Sequence, residues 1–183
     1  MQKEECFRYI DARRDEMLSL WRDMVNQDSG TSDKPGVDAV QSMIRSILEQ
    51  EGAAVRIVEY EKAGNLLIAE IGGQRAKPPV IFLGHVDTVF KKGTSLERPF
   101  SIKDGKAYGP GVLDMKGGVV AFLYAIKALN AAGFSDRPIK VLLAGDEENG
   151  HALSDAAEVF VTESTGAFTA FNCETGFVDD AIV

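Results

Sequence analysis

Two stretches of this chain are apolar without any alternation, and they constrain the fold more than anything else in it. Val80, Ile81, Phe82 and Leu83 form one, and Val141, Leu142, Leu143 and Ala144 form the other. A strand with one wet face alternates polar and apolar residues; a strand covered on both faces does not. Between the two lies "GGVVAFLYAIKALNAAG", a strongly apolar helix over 117–132 that Gly133 stops. Strand, helix, strand is the crossover unit of a parallel sheet. A helix over 152–164 and a strand over 167–173 continue the alternation. The expected fold is α/β, with helix, sheet and helix in three layers.

The upstream half adds to both layers. Residues 5–26 read as one amphipathic helix, with Phe7, Ile10, Met17, Trp21 and Met24 at helical spacing. "NQDSGTSDKPG" is loop chemistry. Residues 37–50 read as a second helix, with Gly52 placed to cap it. Strands over 53–60 and 65–71 have no helix between them, so they pair antiparallel and make the sheet mixed, though mostly parallel. "FSIKDGKAYG" predicts a hairpin turning at Asp104-Gly105.

Composition removes several function classes. The 183 residues carry 28 acidic against 20 basic side chains, a formal net charge of -8. That balance excludes a nucleic-acid partner and an anionic membrane surface, both of which need a basic face. No apolar run approaches the roughly 18 residues a membrane span requires. The charged start "MQKEECFRYIDARRDE" is not a signal peptide. Cys6 and Cys173 make no disulfide framework, so a reducing, cytoplasmic setting is expected. The closing "FVDDAIV" predicts a chain cut inside its architecture.

Ligands of an open α/β sheet sit beyond the carboxyl ends of its strands. There the sequence places His85 and Asp87, then Asp146, Glu147 and Glu148, then Glu174. "GPGVLDMKGG" delivers Asp114 just ahead of a helix. Six carboxylates and one imidazole would converge. Bare carboxylates at close range raise one another's pKa, and a divalent cation removes that cost. Asp87, two residues after His85 in extended chain, shares its face and could hold one ring nitrogen while the other binds metal.

Each residue alone has a plainer reading. Asp114 could be a helix N-cap, "DEENG" an acidic turn, and Glu174 a solvated strand end. The glycines of "GPGVLDMKGG" could cradle a phosphate. However, they lack the Gly-Lys-Ser/Thr of a P-loop, and Pro110 and Asp114 stand where free N–H groups are wanted. Taken in order, the set favours a metal site.

"GHVDTVF", "GPGVLDMKGG", "DEENG" and Glu174 together resemble the successive motifs of the zinc-dependent peptidase and deacylase family that includes glutamate carboxypeptidase, acetylornithine deacetylase, succinyl-diaminopimelate desuccinylase and aminoacylase. The form is nearest the glutamate carboxypeptidase branch, with Lys91 where that branch often has proline. The resemblance implies a zinc exopeptidase-like sheet, incomplete at its C-terminus, and two zinc ions, with cobalt a possible substitute. His85 and Glu174 would bind one ion, Asp114 would bridge, and Glu148 would bind the other. Glu147 would be the general base, Asp87 would orient His85, and Asp146 would lie just outside the ligands. The peptide after Asp114 would be cis. The implied reaction is hydrolysis of an amide bond in a small peptide or N-acyl amino acid.

The family's last histidine ligand and its lid domain, which carries another histidine and forms the homodimer, have no counterpart in 1–183. His151, the remaining histidine, aligns with neither and reads as a surface or capping residue. The expectation is therefore the N-terminal portion of a catalytic domain, inactive or nearly so alone. The alternative is a truncated homologue that binds metal or a partner without catalysis.

Overall fold

The computed structural model describes residues 3–74 and 76–176. Three helices come first: α1 (Lys3–Asp11), α2 (Arg14–Asn26) and α3 (Lys34–Gln50). Strands β1 (Ala54–Val58), β2 (Gly64–Ile71) and β3 (Val80–His85) follow. A single turn α4 (Thr94–Glu97) precedes the hairpin β4 (Ser101–Lys103) and β5 (Lys106–Tyr108). The chain then runs through α5 (Gly118–Ala131), β6 (Ile139–Gly145), α6 (Ala156–Ser164) and β7 (Thr169–Asn172).

The main sheet has the order β1-β2-β6-β3-β7. Its β3 strand runs parallel to both β6 and β7, while β2 runs against β1 and β6. The mixed, mostly parallel sheet is thus as the sequence implied. One core packs Val40, Ile44, Val119, Leu123 and Ile126 from the helices against Leu67, Phe82, Val141 and Leu143. A smaller core on the opposite face packs Ala156, Val159 and Phe160 of α6 against Leu66, Ile81 and Leu142. Three layers result.

Alternation along the strands decides which side chain goes to which core. In β6, Val141 and Leu143 enter the larger core, and Leu142 and Ala144 enter the smaller. The chain steps from β3 through α5 to β6 on one side, then from β6 through α6 to β7 on the other. Winding reverses there, and such a reversal leaves a crevice beyond the carboxyl ends of the strands. No helix among the described residues is long and apolar enough to cross a membrane.

Several boundaries differ from the sequence reading. The expected helix over 5–26 is two helices, parted at Ala12-Arg13, because "DARRDE" offers no large apolar side chain to hold a continuous buried face. The helix expected from 152 begins at Ala156, because residues 151–154 fold back onto Asp146. The turn α4 lies in a stretch to which the sequence reading gave no element; Asp28 holds its start by accepting the Ser95 N–H at 2.9 Å and the Gly93 N–H at 2.5 Å. The hairpin turns where expected, with Asp104 and Gly105 both at positive φ. The closing residues "FVDDAIV" lie outside the described residues.

Candidate metal centre

His85 is the last residue of β3 and is 1% exposed. Its Nε2 faces three carboxylate oxygens: Asp114 Oδ1 at 3.1 Å, Glu174 Oε1 at 3.2 Å and Glu147 Oε2 at 3.7 Å. One ring nitrogen carries at most one proton, so it cannot satisfy three acceptors. His85, Asp114 and Glu174 each offer a ligand atom within 4.8 Å of the others. An imidazole with two carboxylates is a donor set that suits zinc and similar divalent ions. The residues present therefore fit a metal.

The other ring nitrogen is held from behind. His85 Nδ1 lies 3.0 Å from the Asp87 carbonyl and 3.2 Å from Asp87 Oδ1. Asp87 itself is fully buried. Its Oδ1 also accepts the Glu147 N–H at 3.0 Å; its Oδ2 accepts the Thr31 hydroxyl at 2.7 Å and the Glu148 N–H at 3.2 Å. Burial opposes its charge, but the bonds from His85 and Thr31 keep its carboxyl below the usual range.

The crowding of acidic groups on one imidazole shifts the ionisation of each. Burial works against charging His85, yet Asp87 and Glu174 together push its imidazole up to about 11. Burial and the charge of Asp114 push the Glu148 carboxyl up to about 7. Burial also opposes the charge on Glu174, but its bond to His85 holds its carboxyl below the ordinary value.

Asp114 sits in a tight turn over 112–117 that leads into α5, and the Asp114–Met115 peptide is cis, as the resemblance implied. The C-terminal part of α2 holds this turn. Trp21 Nε1 donates to the Val112 carbonyl at 3.0 Å. Lys116 is 1% exposed, and its ammonium donates to the Met24 and Gln27 carbonyls, both at 2.9 Å. A cation there completes the carbonyls that a helix leaves open at its C-terminus. Burial pushes Lys116 down to about 8, against the favourable charge of Asp28.

Of the seven acidic and imidazole groups expected to converge, Asp146 turns away. It is buried, but its Oδ1 accepts from His151 Nδ1 at 3.1 Å and Ser154 Oγ at 2.9 Å. A single 3-10 turn over Glu147–Asn149 takes the chain out of the strand directly after Asp146, so the three acidic side chains do not share one direction. His151 stays beside Asp146 and is not among the residues gathered on His85. Sequence reasoning missed Thr31 and Lys116. Thr31 lay in a loop with no visible pattern, and Lys116 carried only the weak signal of a charge next to the Asp114 turn.

The model of "Peptidase family M20/M25/M40" matches residues 81–181. Carboxypeptidase G2 of Pseudomonas sp. (strain RS-16) is 34% identical over 130 residues, covering 69% of this chain and 31% of that protein. Succinyl-diaminopimelate desuccinylase of Xylella fastidiosa (strain M23) is 32% identical over 153 residues, covering 80% of this chain and 38% of that one. The crystal structure of human carnosine dipeptidase 1 superposes with a TM-score of 0.80 at 24% identity, over 96% of this chain and 42% of the human one. The chain thus spans well under half the length of the relatives it matches.

Proposed function

The chain belongs to peptidase family M20/M25/M40, and on that premise we propose that it supplies most of the metal centre of a hydrolase that cleaves an amide bond in a small peptide or N-acyl amino acid. The observation that carries this reading is the convergence of Asp114 and Glu174 on the one ring nitrogen of His85 that Asp87 leaves free. His85, Asp114 and Glu174 would hold one ion, and Asp114 with Glu148 would serve a second. A bound zinc pair, or cobalt in its place, supplies an acidified water and a polarised carbonyl.

The chain's own residues do the rest. Asp87 keeps the His85 ring turned so that Nε2 faces Asp114 and Glu174. Glu147, half exposed at the mouth of the site, takes a proton from the attacking water and passes it to the leaving amine nitrogen. Its backbone N–H is fixed on Asp87, so the side chain swings from a set point.

Asp114 and Glu148 alone serve the second ion among the described residues. A catalytic zinc takes three protein ligands and keeps one position open. Full turnover therefore calls for one more ligand, and we place that ligand, the lid domain and the homodimer contact outside these 183 residues. The same shortfall supports a second reading, in which this chain binds metal without turning substrate over.

Metal analysis separates these readings from a plain acidic surface. Cobalt should bind the purified chain and Asp114→Ala should lose most of it, with little hydrolysis of acyl-amino acids or dipeptides by either. Equal cobalt content in the two proteins would remove the metal reading. Rapid hydrolysis by the 183-residue chain would remove the claim that it lacks a ligand.

A further inference from the structure

Asp87 does more than face a histidine. Its two oxygens gather donors from three separate segments: the His85 ring at the end of β3, the Glu147 and Glu148 N–H groups after β6, and the Thr31 hydroxyl from the loop before α3. The loop is anchored independently of that hydroxyl. Ser29 Oγ donates to the Val86 carbonyl at 2.8 Å, the Thr88 N–H to the Ser29 carbonyl at 2.9 Å, and the Thr31 N–H to the Thr88 carbonyl at 3.0 Å. Gly30 and Thr88 continue the parallel pairing beyond the end of β3. Asp28, which holds the start of α4, fixes the near end of the same loop.

The Thr31 hydroxyl has one proton and two acceptors within reach. Asp87 Oδ2 lies at 2.7 Å and the Thr88 carbonyl at 3.3 Å. The shorter contact, to the charged oxygen, takes the proton, since a hydrogen bond to a carboxylate is roughly twice as strong as one to a neutral acceptor. Without that donor, Asp87 Oδ2 would keep the Glu148 N–H alone. The carboxylate would then lose its donor from the loop before α3, and the His85 ring and the two backbone N–H groups would hold it less firmly, loosening both backbone groups with it.

We propose that Thr31 is a positioning residue: its hydroxyl locks the Asp87 carboxylate, and through it the places of Glu147 and Glu148 as well as His85. The inference rests on the reading of these residues as a metal site only for its consequence, not for its geometry.

The test uses the 183-residue chain and two variants. Thr31→Val keeps the side-chain shape and the backbone bonds but removes the hydroxyl; Thr31→Ser restores it. In 15N-labelled, metal-free protein, Thr31→Val should speed amide hydrogen exchange at Glu147 and Glu148 several-fold, with β3 and β6 amides unchanged. Cobalt affinity, read from the visible spectrum, should fall on the order of tenfold, as when a partner behind a metal ligand is lost. Thr31→Ser should restore both. Unchanged exchange at Glu147 and Glu148 in Thr31→Val would overturn the proposal, as would a uniform rise across all amides or a failure of Thr31→Ser to rescue. Because the exchange readout contains no metal, it can fail while Asp114→Ala still loses cobalt, and it can succeed if no metal binds at all.

Discussion

Gly118 opens α5 with ordinary helical dihedrals, so nothing in its backbone calls for glycine. What calls for it is Cys173. A Cβ at position 118 would stand 2.9 Å from the Cys173 carbonyl carbon and 3.1 Å from the Cys173 Cβ, and would overlap the carbonyl oxygen outright. Carbon atoms in contact prefer about 3.5–4.0 Å, so the 172–174 backbone must withdraw by about 1 Å in Gly118→Ala. Glu174 is the next residue, and a metal site tolerates errors of about 0.2 Å in its ligand distances. The same substitution favours the helix by up to about 1 kcal/mol, against about 1–3 kcal/mol for overpacking a tight contact. Net stability should therefore fall by about 0–3 kcal/mol, while cobalt affinity falls on the order of 10–100-fold. Urea unfolding of the metal-free chain and a cobalt titration measure the two separately. A Gly118→Ala protein with unchanged cobalt affinity would refute the claim that this contact places Glu174.

Two further expectations concern protons and packing. The metal-free protein holds His85 protonated up to about 11, so its protonation stabilises the fold fully below about 6.5 and is lost as the pH rises through that higher value. A cation at His85 must displace that proton, so affinity for the first cobalt ion should rise about tenfold per pH unit near neutrality, with about one proton released for that ion in calorimetry across buffers of different ionisation enthalpy; pH-independent binding would contradict the site geometry. Gly84→Ala should destabilise the chain by about 1–3 kcal/mol, because its Cβ would lie 2.7 Å from Met115 Cε and 2.8 Å from Sδ. Combining it with Met115→Ala in a denaturation cycle should cost less than the sum of the two; strict additivity would show that they do not compete for the same space.

The layers and the gathering of acidic groups on His85 were legible for one reason: both rest on contiguous stretches. Unbroken apolar runs mark β3 and β6 wherever they pair; His85 ends β3, and Asp87, Glu147, Glu148 and Glu174 come soon after strand ends. What the sequence hid depends on contacts between distant segments. Lys116 is an ordinary surface cation by type, and only the open carbonyls of α2 make it a buried one. Thr31 lies 56 positions from Asp87, and no local pattern links them. Asp146 reads like its two acidic neighbours until the turn over 151–154 claims it.

The position of β3 between β6 and β7 has a kinetic meaning. His85 and Glu174 come together only when β7 closes on β3, and both parallel pairings of β3 span long stretches of chain. Such long closures are slow, because their entropy is lost before the contacts that repay it are made. His85 and Glu174 therefore meet only once that long-range pairing has closed. An ion held by these residues would bind the folded chain and not the unfolded one, and would slow the parting of β7 from β3.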